Sequence, residues 1–212
     1  MKPYTIHRPS SDLCRIVYWN SGEDAGPVLS LLHLPHTAVA VIDVPDWNRD
    51  LSPWPAARVF KKGGDFAGGA EAYLQELVNG IIPDVEAELG CTDVPRAVAG
   101  YSLAGLFAVW ALYQTDTFDR AASMSASLWF DGFTEFMEEQ RPVKVPSKMY
   151  LSVGEREKQT KNARMAQVEV CTVRTAEKFR QYGTDVWMEL NPGGHFDEVL
   201  FRIERGLRWI GE

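Results

Sequence analysis

Cysteine, histidine and excess positive charge are all scarce in this chain, and each shortage sets a class of protein aside. Cys14, Cys91 and Cys171 are odd in number, far apart and without a C-x-x-C pair, so neither a disulfide framework nor a zinc site is suggested. They read as reduced thiols in or near the core. The formal net charge of -7 argues against a protein that grips nucleic acid, where a basic face would offset phosphate. No run approaches the roughly 18 apolar residues of a membrane span. The opening "MKPYTIHRPSSDLCRIVYWN" has no apolar core of signal-peptide length. The expectation is a cytoplasmic protein with no membrane and no nucleic-acid partner, acting on something small and not strongly anionic. The sequence sets no oligomeric state.

What is present is ordinary globular material. Apolar residues make up 45% and charged residues 24% of 212 residues, which suits one domain over 1–212 with a core of its own. Short β-branched and apolar runs bounded by turn residues are the candidate strands: 15–20, 37–44, 95–100, 120–126, 147–154 and 184–190. "RIVYW", "AVAVIDV" and "AVAG" are almost continuously apolar, as in strands covered on both faces of a parallel sheet. Longer amphipathic stretches at 69–90, 103–114, 162–183 and 197–212 are the candidate helices, with Pro83 expected to kink or interrupt the first and Gly183 to stop the third. Strand and helix alternate, which predicts an α/β fold with a mostly parallel central sheet flanked by helices on both faces. Residues 45–66, with three prolines and two tryptophans, break the rhythm and read as a long surface loop and candidate wall of a binding site.

One seam stands out. In "AVAGYSLAGLFAVWAL" (97–112), Ser102 lies between a strand and a helix, with Gly100 two residues before it and Ala104 two after it. Small neighbours let strand and helix approach across a sharp turn, so the serine can sit strained with its hydroxyl projecting outward. The start of the following helix turns free N–H groups toward whatever binds there, and the N–H of Leu103 is the first of them. A serine hydroxyl needs a neighbouring base. Of the four histidines, His7, His33 and His36 read as surface or loop residues. His195, in "NPGGHFDEV", follows the last strand in a glycine-rich loop.

"GYSLAG" resembles the nucleophile elbow of α/β-hydrolases, with Ala104 where the pattern has its second glycine. "DLSPWPA", "GYSLAGLFA", "SLWFDGF", "SVGEREKQTKN" and "GGHFDEV", in that order, together resemble the esterase group of that superfamily, which includes esterase D-like and enterochelin esterase-like proteins. The resemblance spans roughly 15–210. It implies a single-domain α/β-hydrolase fold with an eight-stranded core or a trimmed version of it, and hydrolysis of carboxylic esters through an acyl-enzyme with no metal or organic cofactor. It implies Ser102 as nucleophile, His195 as base and, three residues past Gly154, Glu157 as the acid, with Glu155 as its rival. The oxyanion would be held by Leu103 and by a second donor near Asn20 and Ser21, of which Ser21 is chosen. Trp47, Trp54, Trp129 and Phe130 would line a substrate pocket. Asp197, two after His195, could contact the ring, but its expected job is to cap the last helix.

The function so implied is a serine esterase acting on a small soluble ester. Its alternatives are a thioesterase or acyltransferase on the same three residues, and a binding module that keeps the fold without turnover.

Overall fold

The computed structural model describes residues 1–22, 24–61 and 63–212. Seven strands form one sheet: β1 (Tyr4–His7), β2 (Arg15–Ser21), β3 (Thr37–Asp43), β6 (Arg96–Tyr101), β7 (Arg120–Met124), β8 (Lys148–Gly154) and β9 (Asp185–Asn191), in the order β1-β3-β2-β6-β7-β8-β9. β1 runs antiparallel to β3, and every other pairing is parallel. A single antiparallel strand therefore opens the sheet.

Successive side chains of a strand point to opposite faces, and the apolar runs consequently feed two cores. Ile16, Tyr18, Ala38, Ala40, Val98 and Met149 join one cluster, while Val17, Trp19, Val39, Ala97, Ala99 and Tyr150 join the other. All seven residues of β2 are buried, the signature of a strand covered on both sides. The larger core is closed by α3 (Ala70–Glu76), α4 (Ile82–Leu89), α5 (Leu103–Ala111), α6 (Phe133–Glu139) and α7 (Val168–Gln181). The smaller is closed by α1 (Gly26–Leu31) and α8 (Val199–Gly211). The helices on both faces match the architecture expected from the alternation.

Pro83 interrupts its helix without ending it: a π-helical turn over Leu77–Ile81 separates α3 from α4 just before the proline, so the α pattern is broken while the chain stays helical. Several local expectations are corrected. The helix expected from 162 begins as α7 at Val168 after a 3-10 turn over Met165–Gln167. Residues 45–66 are not a bare loop. They hold α2 (Trp47–Asp50), capped by Asp46 whose carboxylate accepts from Arg49 N, and the strand β4 (Pro55–Ala56), which pairs with β5 (Phe66–Ala67). β1, α1 and α6 carried too weak a period to be read. Gly183 does follow α7, at φ +92°.

Candidate active site

Ser102 is the residue between β6 and α5, at φ 55° and ψ -120°. Such a backbone is strained for any side chain and persists only where its surroundings impose it. Here Ser102 N donates to Met124 O at 2.9 Å, and Ser102 O accepts from Gly105, Leu106 and Ser127 N–H groups. A Cβ at Gly100 would lie 2.3 Å from the Ala104 carbonyl, so only glycine lets α5 come this close to β6. A serine before a helix ordinarily caps it, yet the Ser102 side chain makes no capping bond. Its hydroxyl is 3.1 Å from His195 Nε2 instead.

His195 lies in the loop between β9 and α8. Its Nδ1 is 2.8 Å from Glu157 Oε2, and its ring meets the Tyr101 and Phe196 rings at centroid distances of 5.3 and 5.0 Å. Tyr101 OH donates to His195 O at 2.6 Å, which ties the loop to the residue preceding Ser102. Glu155, the rival acid, is exposed, and its backbone N–H donates to Asn191 O. The turn after β8 thus directs Glu157 inward and Glu155 outward.

The other oxygen of Glu157 is held by three donors: Gly154 N at 2.7 Å, Ser125 Oγ at 2.8 Å and Arg202 Nη1 at 3.0 Å. Arg202 is fully buried. Its Nη1 also donates to Ser125 Oγ at 2.9 Å and its Nη2 to Pro192 O at 3.0 Å. One guanidinium therefore joins the acid, the strand after Ser102 and the histidine loop. A Cβ at Gly154 would sit 2.9 Å from Arg202 Nη2 and 2.5 Å from Gly193 O, so the group closes only around a glycine. Ser125 is held at φ 43°, a second strained residue beside Ser102. Sequence reasoning missed Arg202 and Ser125. For Arg202 a signal existed: it is a cation on the buried stripe of α8, beside Ile203, Gly206, Leu207 and Ile210.

Burial pushes the Glu157 carboxyl up, but the hydrogen bond and charge of His195, with the Gly154 N–H and the Ser125 hydroxyl, outweigh it and hold the group below its ordinary value. A carboxylate lowered in this way adds stability above its unfolded pKa, about 4.3, and that stability is lost as pH falls through the folded value. Urea unfolding of wild type and Glu157→Gln should therefore show a wild-type advantage at pH 7 that shrinks below about pH 4.3. A gap that stays constant down to pH 3 would reject this account.

Ser102, His195 and Glu157 border a cavity of about 430 Å³. Leu103, as the first residue of α5, has an N–H without an acceptor in its own helix, and it lines the cavity with Ser21, the last residue of β2. Trp47, Val59, Phe66 and Trp129 reach the cavity from the larger core and Trp19, Val28, Val199 and Ile203 from the smaller, and Met165, Val168, Phe196 and Leu200 also line it. Of the four aromatics expected there, Trp47 and Trp129 line the cavity, whereas Trp54 and Phe130 are not among its described lining residues. Their burial demand is met elsewhere. Trp54 packs on Phe130, Phe133 and Phe136 and donates from Nε1 to Asp131 O, while Phe130 backs Phe66 at 5.1 Å. Asp197 is also corrected: its carboxylate accepts from Gly194 N at 2.8 Å and pairs with Arg156. The residue before α8 is Glu198, at φ 56°.

A family model described as "Putative esterase" matches residues 4–202. The chain belongs to that esterase family. Uncharacterized protein YbbA of Bacillus subtilis (strain 168) is 27% identical over 133 residues, 61% of this chain and 53% of YbbA. The chain thus matches about half the length of that curated relative. Among solved structures, an IroE-like serine hydrolase from Shewanella oneidensis superposes with a TM-score of 0.80 at 20% identity, covering 97% of this chain and 74% of that one. Siderophore hydrolase EstA from Aspergillus nidulans gives 0.72 at 19% identity, covering 95% and 83%. At these identities the likeness is one of fold. No helix among the described residues is long and apolar enough to cross a membrane.

Proposed function

We propose that this member of the esterase family is a serine esterase that cleaves a small-molecule carboxylic ester through an acyl-enzyme. The observation that carries the reading is the continuous hydrogen-bonded chain from Ser102 Oγ through His195 to Glu157, opening on an apolar cavity. Glu157, held ionised, is acceptor-only. Nδ1 of a neutral His195 must then carry the proton, which leaves Nε2 to accept from the Ser102 hydroxyl.

Ser102 Oγ attacks the ester carbonyl carbon as His195 takes its proton. Negative charge develops on the carbonyl oxygen, and the Leu103 N–H at the start of α5, with Ser21 from β2, forms the oxyanion site. The C–O bond to the alcohol breaks, and His195 returns the proton to the leaving oxygen. Water, deprotonated by the same imidazole, releases the acid and restores Ser102. Glu157 orients the ring and stabilises the imidazolium. The unpaired cysteines support a reducing, cytoplasmic setting.

The test is a fluorophosphonate probe with peptide mapping, run beside p-nitrophenyl acetate hydrolysis. Labelling confined to Ser102, with turnover abolished in step with labelling, is the expected result. Labelling elsewhere, or undiminished turnover in fully labelled protein, would overturn the reading.

A further inference from the structure

The two apolar walls of the cavity belong to opposite faces of the sheet. Trp47, Phe66 and Trp129 pack with the larger core, and Val28, Val199 and Ile203 with the smaller. Ser102, at the carboxyl edge of β6, divides them. The proton that leaves on the alcohol oxygen comes from His195 Nε2, so the alcohol must lie against the imidazole. The neighbour on that side is Phe196, whose ring meets the His195 ring at 5.0 Å, and Leu200, in the first turn of α8, lines the same cavity. Phe196 is 84% exposed and Leu200 42%, an apolar shelf that the described residues leave open. A carbonyl oxygen directed at Leu103 N–H turns the acyl chain the other way, toward Trp47, Phe66 and Trp129.

Charge completes the description. Arg58 is the one lysine or arginine among the described lining residues, and its Nη1 donates to Gly63 O. Asp24 is spent on Gly26 N and Glu157 on Arg202 and His195. The described lining residues include no group of cations, and the chain as a whole carries -7. For a carboxylate or phosphate on the substrate, the only cation among the described lining residues to replace lost hydration is the single exposed guanidinium of Arg58.

We infer that the substrate is an uncharged ester that is apolar on both sides of the scissile bond, with its acyl group between Trp47, Phe66 and Trp129 and its leaving alcohol on Phe196 and Leu200. This inference rests on the esterase reading above and deepens it. Pockets of this size that are mostly apolar with a few placed polar groups select by shape and by burial.

Two substrate series test it on the full chain. In the acyl series, p-nitrophenyl acetate, butyrate and hexanoate are compared with mono-p-nitrophenyl glutarate. Each fully buried methylene is worth on the order of fourfold in kcat/KM, so hexanoate should exceed acetate by roughly tenfold or more, and glutarate should fall to the acetate rate or below. In the alcohol series, methyl butyrate is compared with benzyl butyrate, and the benzyl ester should be favoured by roughly tenfold. Phe196→Ala should reduce the benzyl preference mainly through KM while sparing the hexanoate preference, and Trp129→Ala should do the reverse. A flat acyl series, a preferred glutarate, or a benzyl preference untouched by Phe196→Ala would overturn the inference. Should Ser102 be labelled by fluorophosphonate with these preferences absent, the substrate class alone fails. Should it be neither labelled nor active on any ester, the esterase reading fails with it.

Discussion

Replacing Ser102 with alanine is expected to lower kcat for p-nitrophenyl acetate by roughly four to six orders of magnitude, with the residue of activity carried by the oxyanion site and by substrate binding. His195→Ala should fall about as far, and the double variant no further, because the hydroxyl and the imidazole act as one unit: neither has a use for the other's absence. In Ser102→Ala stability should hardly move. The Ser102 side chain makes no helix-capping bond whose loss would cost α5, and the strain at φ 55° is borne by alanine as it is by serine. Thermal unfolding of Ser102→Ala should therefore match wild type within about 0.5 kcal/mol, whereas His195→Ala, which takes a hydrogen-bond partner from the nearly buried Glu157, should lose more. Losses that multiply in the double variant would show that the two residues act independently and would reject the proposed mechanism.

Arg202→Met is expected to have the largest effect on folding. Arg202 is fully buried and the Glu157 side chain is 4% exposed, so removing the guanidinium leaves a carboxylate in the interior with its charge uncompensated. Breaking a buried pair in this way costs about 3–5 kcal/mol, against little net gain from the intact pair over an apolar one. For a chain of this size that is roughly a 10 °C fall in Tm. Glu157→Gln placed on top of Arg202→Met should recover part of the stability, because the amide needs no counter-charge, and should recover none of the activity. Arg202→Lys separates the two demands: an ammonium can reach Glu157 or Pro192 O but cannot hold both as the fork does. It should keep most of the stability and lose part of kcat. If Arg202→Met unfolds like wild type, or if the double variant is destabilised by the sum of the singles, the coupling described here is wrong.

The part of the site that could be read from sequence is the part written in neighbouring residues. Gly100, Ser102 and Ala104 are adjacent in the chain, and the turn they make depends on a few covalent links and the bulk of their side chains. The same holds for His195, whose position after the last strand of an alternating pattern follows from counting elements. Glu157 was harder, since Glu155 satisfies the same local description. The direction of the turn after β8, fixed by Glu155 N bonding to Asn191 O and Arg156 N to Gly193 O, decides which of the two faces His195.

The sequence by itself determined the alternation of strand and helix, the burial of the sheet on both faces and the strand-to-helix turn at Ser102, because each is a period or a spacing within a short segment. Tertiary structure alone decided that Arg202 reaches Glu157 across 45 residues, that Trp47 and Trp129 face the cavity while Trp54 and Phe130 fill the core behind it, and that Phe196 stands open beside His195. These outcomes are set by which distant segments compete for the same volume. An aromatic or an arginine carries no mark in its own neighbourhood of the partner that will meet it when the sheet closes.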